Sequence, residues 1–172
     1  MKERSGLVTS GGKPVTLVGD EVKVGDKAPD VTLAANNMAA VKLSERFGKV
    51  LIVSAVPSLD TSTCDIETRR FNTEAAGLGE DIAVITISRD LPFAQKRWCG
   101  AAGVDRVETL SDYREAAFGK SWGVLMKENG LLTRAVFVVD RDGVVRYIQI
   151  VPETGKEPDY AAVLTAARAL TS

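Results

Sequence analysis

The chain has 172 residues, 45% hydrophobic and 26% charged, a composition that suits one globular domain with a sizeable core and argues against disorder. The 22 basic and 23 acidic residues leave a net charge of −1, with the basic ones dispersed and no eighteen-residue apolar run, so no nucleic-acid partner and no membrane span is expected. Histidine is missing altogether, which removes Ser–His–Asp and Cys–His catalysis and the HExxH motif, and two cysteines alone serve a zinc site poorly, so no metal or cofactor is expected.

The opening MKERSGLVTSGGKP carries charge but no apolar stretch behind it, so a secretory signal is absent or already removed and a cytoplasmic location is expected. Residues 1–19 read as a β-hairpin, GLVTS and PVTLVG joined through Gly11-Gly12-Lys13. Short strands follow near 31–33 and 41–43. The run VLIVSAV, 50–56, is apolar and β-branched, as for a strand covered on both faces, and Pro57 closes it because proline cannot donate to a ladder. A helix is predicted from about Cys64 through DIETRRFNTEAAG, with Gly77 and Gly79 as stops, and DIAVITIS, 81–88, makes the next buried strand. Beyond it come a short helix over 92–99, a strand near 107–110 and a helical turn around 114–118. Two strands, 133–140 and 144–151, then flank an Asp142-Gly143 turn, where glycine supplies positive φ. The last helix, 158–170, sets Tyr160, Val163, Leu164, Ala167 and Leu170 in one stripe, with Pro158 in its first turn. Strands alternating with helices predict an α/β fold, a central mixed sheet flanked by helices on both faces, in a single domain over 1–172. A thioredoxin-like arrangement fits this order, as do other α/β folds.

The stretch VPSLDTSTCD sets Cys64 at the strand-to-helix turn, and sites in open α/β sheets form beyond the carboxyl ends of strands. Ser62 with Asp65 three residues later fits a capping box. A sulfur in the first helical turn faces unpaired backbone N–H groups and the positive end of the dipole, which favours thiolate over thiol. Asp65 and Glu67 oppose this by like charge, so an arginine is expected close to the sulfur; spacing alone does not say which. The bland alternative is a cysteine buried as a small hydrophobe, and the polar helix start argues against it. Two further motifs dissolve on inspection. Gly119-Lys120-Ser121 lacks the first P-loop glycine, whose position holds Arg114, and Asp140-Arg141-Asp142-Gly143 lacks the later ligands of a calcium loop.

The pattern Pro57-x-x-x-Thr61-x-x-Cys64, with PSLDTSTCDIETRRFN, DLPFAQKRWCG, RAVFVVD and EPDY around and beyond it, resembles the thiol peroxidase branch of the peroxiredoxin family across nearly the whole chain. The resemblance implies a thioredoxin-like fold with an N-terminal β-hairpin extension. It also implies a bacterial homodimer that reduces hydroperoxides at the expense of thioredoxin. By position, Cys64 matches the peroxidatic cysteine, Cys99 the resolving one, Thr61 and Pro57 the pocket residues and Arg134 the active-site arginine. On that reading the Cys64 thiolate attacks the peroxide and becomes a sulfenic acid. Thr61, Arg134 and N–H groups at the helix start donate to the leaving oxygen, Arg134 also steadies the thiolate, and Pro57 shields the sulfur. Cys99 lies 35 residues beyond Cys64, so the pair is not a CxxC motif. A disulfide needs Cα atoms roughly 4.4–6.8 Å apart, and the cysteines fall at the boundaries of different helices. The first turn at Cys64 and the LPFAQKRWCG segment are therefore expected to unwind partly as an intramolecular disulfide forms. Ser62, Thr63 and Trp98 stand where relatives often carry other residues. The alternative function is a redox sensor or chaperone-like protein signalling through the same cysteines; a sensor would stall after one equivalent of peroxide. A structural adaptor would be indifferent to loss of Cys64.

Overall fold

In the computed structural model, which describes residues 1–171, β1 (Glu3–Ser10) and β2 (Lys13–Val18) form the opening antiparallel hairpin. Gly11 and Gly12 make its turn at φ +59° and +81°, a conformation that costs a side-chain-bearing residue strain. Strands β3 (Thr32–Ala34) and β4 (Ala40–Lys42) pair with each other, and Leu43 opens a short 3₁₀ turn instead of ending a strand. The apolar run forms β5 (Val50–Ala55), buried at every residue. Then come α1 (Ser62–Ala75), β6 (Ile82–Ser88), α2 (Pro92–Ala102) and β7 (Val107–Ser111). The chain continues through α3 (Ala117–Ser121), β8 (Leu125–Met126), β9 (Ala135–Val139), β10 (Val145–Ile150) and α4 (Tyr160–Ala169).

Seven strands make the central mixed sheet, in the order β10-β9-β5-β6-β7-β3-β4; β5, β6 and β7 run parallel and the outer pairings are antiparallel. One face, through Val50, Ile52, Val84, Val136 and Val138, packs against Phe71 and Ala75 of α1 and Val163, Leu164 and Ala167 of α4. The other, through Leu51, Val53, Ile85 and Phe137, is covered by Phe118 of α3, Trp122 and the segment around Val22–Leu43. Burying Phe71 completely is worth about 1.5–3 kcal/mol, so α1 is fixed to the sheet by its middle while its first turn stands clear of that contact.

Among the boundaries that differ from expectation, three have a clear local reason. Helix α2 runs on to Ala102 and stops at Gly103, φ +68°, whose N–H reaches the Cys99 carbonyl; Cys99 therefore lies inside the helix, not at its end. Helix α3 sits three residues later than the predicted turn. Asp112 accepts there from the N–H groups of Phe118 and Gly119 at 3.0 and 2.9 Å, and Ala116 takes a left-handed φ of +53°. Pro158 precedes α4, and Asp159 caps that helix by accepting from Ala162 N–H at 3.0 Å. The two-residue β8, which pairs with β2, has no pattern in the sequence to announce it.

The hairpin is stitched to the loop after β10. Glu153 accepts from Thr9 Oγ1 at 3.0 Å, Gly12 N–H at 2.9 Å and Gly155 N–H at 2.7 Å. Those hydrogen bonds, the one from Gly155 first and that from Gly12 next, hold its carboxyl down at about 2, against an ordinary 4.5. A depressed carboxylate stabilises the fold above its unfolded value and loses that contribution as pH falls through the folded one. The Gly12 and Gly155 amides, measured against their intrinsic exchange rates, should lose hydrogen-exchange protection as the pH drops from about 4.5 to about 2. Glu153→Gln should abolish that pH dependence; protection unchanged across the window would refute the anchor.

Candidate active site

Beyond β5 the chain passes through Val56 and Pro57 into a tight loop held from below by Asp90. Its carboxylate accepts from Ser58 Oγ at 2.6 Å, Leu59 N–H at 2.8 Å and Ser88 Oγ at 2.7 Å, tying the loop to the end of β6. Thr61 is the N-cap of α1, with extended φ/ψ of −90° and 147°, yet its hydroxyl donates to the Ser58 carbonyl at 2.9 Å instead of capping the helix. The Ser62–Asp65 capping box is therefore not formed. Asp65 turns toward α2, accepting from Arg69 Nε at 3.0 Å and from the indole Nε1 of Trp98 at 2.9 Å. Among the described residues no side-chain cap bond forms at the first turn of α1, so its N–H groups keep their pull on whatever charge lies there.

Cys64, third residue of the helix, is fully buried among Val56, Leu59 and Trp98. Its sulfur accepts from Arg134 Nη2 at 3.2 Å, a hydrogen bond whose donor carries the charge. Arg134 comes just before β9 and not within it. Each nitrogen of its fork has a partner: Nη1 donates to Glu67 Oε2 at 2.8 Å and Nε to the Thr154 carbonyl at 3.0 Å, with the side chain 1% exposed. Burial works against that charge, but the Glu67 carboxylate and the Cys64 sulfur outweigh it and hold the guanidinium above its ordinary value. Burial likewise pushes Glu67 up, to about 7, against the pull of Arg134. Glu67 entered the sequence reading only as an opposing charge. The signal that could have found it is its place three residues after Cys64, which puts both on one face of α1.

A cavity of about 270 Å³ lies against this cluster, walled by Pro57, Thr61, Thr63, Met126, Leu131 and Arg134. Four of the five residues singled out from the sequence, Pro57, Thr61, Cys64 and Arg134, thus come together at one end of the sheet. Cys99 does not join them. Its thiol is free, partly exposed and 3.4 Å from Thr109 Oγ1, beside an open cleft of about 400 Å³ that also involves Asn36 and Glu108. Its neighbour in sequence, Trp98, packs against the cluster of Val56, Leu59 and Cys64.

A buried cysteine at a bare helix start, gripped by a buried arginine on a mixed sheet of this order, defines a thioredoxin-like thiol centre. Comparison with known proteins agrees. The Redoxin family model matches residues 23–164. The thiol peroxidase of Bacillus subtilis strain 168 is 55% identical over 163 residues, 95% of this chain and 97% of that one. The thiol peroxidase of Oceanobacillus iheyensis is 54% identical over 158 residues, 92% and 96% of the two chains. A peroxiredoxin-like protein from Aquifex aeolicus superposes with a TM-score of 0.90 at 40% identity, covering 96% of this chain and 98% of that one. The chain belongs to the redoxin family, in its thiol peroxidase branch.

The Trp98–Asp65 hydrogen bond joins the first turn of α1 to α2, with Arg69 stacked 5.7 Å over the indole. Trp98→Phe keeps an aromatic ring but removes the donor. It should lower stability by about 1 kcal/mol and raise hydrogen exchange in the first turn of α1 more than at its centre. Equal protection of that turn in both proteins would show that the bond carries no hold.

Proposed function

We propose that the protein reduces hydrogen peroxide and organic hydroperoxides to water and alcohols, with Cys64 as attacking thiolate, Cys99 as resolving thiol and a thioredoxin as electron donor. The observation that carries this reading is the 3.2 Å hydrogen bond from Arg134 to a fully buried sulfur in the uncapped first turn of α1. The peroxide enters the cavity walled by Pro57, Thr61 and Arg134. A bond forms from sulfur to the terminal oxygen as the O–O bond breaks; sulfur is oxidised to sulfenic acid, and the leaving oxygen takes up a proton. Negative charge moves from sulfur to oxygen, and Arg134 with the bare N–H groups of the helix start acts on it throughout. Thr61 donates to Ser58, which leaves its oxygen free to accept the hydroperoxide O–H, so it orients the substrate. Pro57 limits access from the open side.

Cys99 then attacks the sulfenic sulfur, expelling water and forming an intramolecular disulfide, which requires the first turn of α1 and the end of α2 to open. Thioredoxin returns both thiols. Family likeness supports a homodimer, a cytoplasmic location and one domain over 1–172. A sensor reading is not favoured, because relatives more than half identical to this chain are thiol peroxidases.

A coupled assay following peroxide loss with thioredoxin, its reductase and NADPH tests the scheme. Cys64→Ser should be inactive, and Cys99→Ser should consume one equivalent and stop. Sustained thioredoxin-dependent turnover by Cys64→Ser would overturn it. Arg134→Lys retains the charge but not the fork, and should slow the peroxide step by about 10²–10³-fold. A loss smaller than tenfold would remove Arg134 from the chemistry.

A further inference from the structure

Glu67 has no part in the scheme above, although it is as buried as Cys64 and shares its arginine. Arg134 carries one positive charge, and two acids hold separate ends of its fork, Cys64 Sγ on Nη2 and Glu67 Oε2 on Nη1. The second carboxyl oxygen, Oε1, is buried with no hydrogen-bond partner among the described residues. An ionised carboxylate in that setting leaves a charged acceptor desolvated, whereas a carboxylic acid carries its proton on the idle oxygen and still accepts from Arg134 with the other. The charged and titratable groups facing Glu67 are Cys64 one turn earlier on α1, Arg134 ahead of β9, and Glu157 and Tyr160 where α4 begins. Of these only Arg134 is positive and bonded to Glu67, Glu157 adds repulsion, and Arg70, stacked 4.8 Å over the Tyr160 ring, is paired with Glu74 at 3.0 Å. The site therefore holds one cation for two acids.

We infer that Glu67 is a proton-coupled positioning residue: it holds a proton while Cys64 is a thiolate and gives it up when the sulfur becomes neutral. This rests on the reading of Cys64 as the attacking thiolate. In the resting site the thiol with a carboxylate, and the thiolate with a carboxylic acid, differ only in where one proton sits, so the thiolate forms without a histidine. In the peroxide step the thiolate and the hydroperoxide become a sulfenic acid and an alkoxide, and the alkoxide takes one proton to become an alcohol. Glu67 releases one proton in the same step, since the arginine's other partner is no longer charged. The sum is thiolate, carboxylic acid and hydroperoxide giving sulfenic acid, carboxylate and alcohol. One negative charge faces Arg134 before and after, and no net proton is drawn from solution. The raised value of Glu67, about 7, agrees with a carboxyl that changes state near neutral pH.

Two measurements on the unaltered protein, at neutral pH, test this. In the infrared difference between reduced and peroxide-oxidised protein, a protonated-carboxyl carbonyl band should be lost on oxidation. In weak buffer with a pH indicator, one equivalent of hydrogen peroxide should be consumed with little proton uptake. Glu67→Gln keeps the acceptor for Arg134 but cannot ionise. It should lack the band, take up one proton per peroxide, and reach half-maximal peroxide reactivity at a pH lower by about one unit. Uptake of a full proton by the unaltered protein, with no such band, overturns the inference while leaving Cys64 as the peroxidatic cysteine. A stoichiometric peroxide burst surviving in Cys64→Ser overturns the underlying reading, and the inference with it.

Discussion

A guanidinium as deeply buried as that of Arg134 cannot persist unless its donors are met, and meeting them recruits four separate parts of the chain. Ala55 of β5 pairs with Ala135 of β9, which sets Arg134 level with Val56, where the strand gives way to the site loop. Cys64 and Glu67 come down to it from one face of α1. Thr154 supplies the third acceptor, from a loop whose next residue back, Glu153, is bound to the N-terminal hairpin. The hairpin therefore belongs to the support of the arginine. Removing one partner of a buried ion pair costs about 3–5 kcal/mol, so register, helix placement and hairpin are all held to the position of a single side chain.

In the proposed scheme that arginine also explains how a chain without histidine can use a cysteine. A base is needed where a proton must be removed during reaction; here a fixed positive charge and the open N–H groups of α1 act on the sulfur continuously. Glu67 completes this economy of charge. Asp65, which seemed set against the thiolate, is occupied elsewhere: Arg69 and the Trp98 indole take its two oxygens.

Much of the scaffold was legible because its cause is local. Strands β5 and β6 read as unbroken apolar runs since helices and loops cover both their faces. Cys64 stood out from its place behind a proline stop. Arg134 became visible only through family likeness, because its partnership with a sulfur 70 residues earlier is set by strand pairing. Glu67 was hidden among the polar and charged residues of α1, whose sequence pattern gives little sign of which carboxylate is buried. The end of α2 was missed because Gly103, not the cysteine, terminates it, and α3 was displaced because Asp112 caps it from outside the expected turn.

The first turn of α1 answers two opposed demands in the proposed cycle. It must be rigid to present the sulfur to Arg134, and it must open to bring Cys64 to Cys99. The contacts holding it are graded accordingly. Its outer hold is the Asp65–Arg69 pair, half exposed on the arginine side, the indole hydrogen bond to Asp65, and an exposed hydrogen bond from Thr63 Oγ1 to the Gly155 carbonyl at 3.1 Å; exposed pairs contribute about 0–1 kcal/mol and a single hydrogen bond about 1. Its inner hold, Arg134 on Glu67, is buried and several times stronger, but it lies one turn further along the helix. Residues 62–65 can therefore unwind while Glu67 stays on the guanidinium and the arginine remains in place. Oxidation itself loosens a further tie: once the sulfur is a neutral sulfenic acid, Arg134 faces a neutral acceptor in place of an anion, and the coulombic part of its hold on Cys64 is gone. The turn is held hardest while the thiolate awaits peroxide and is released by the chemistry it has just performed.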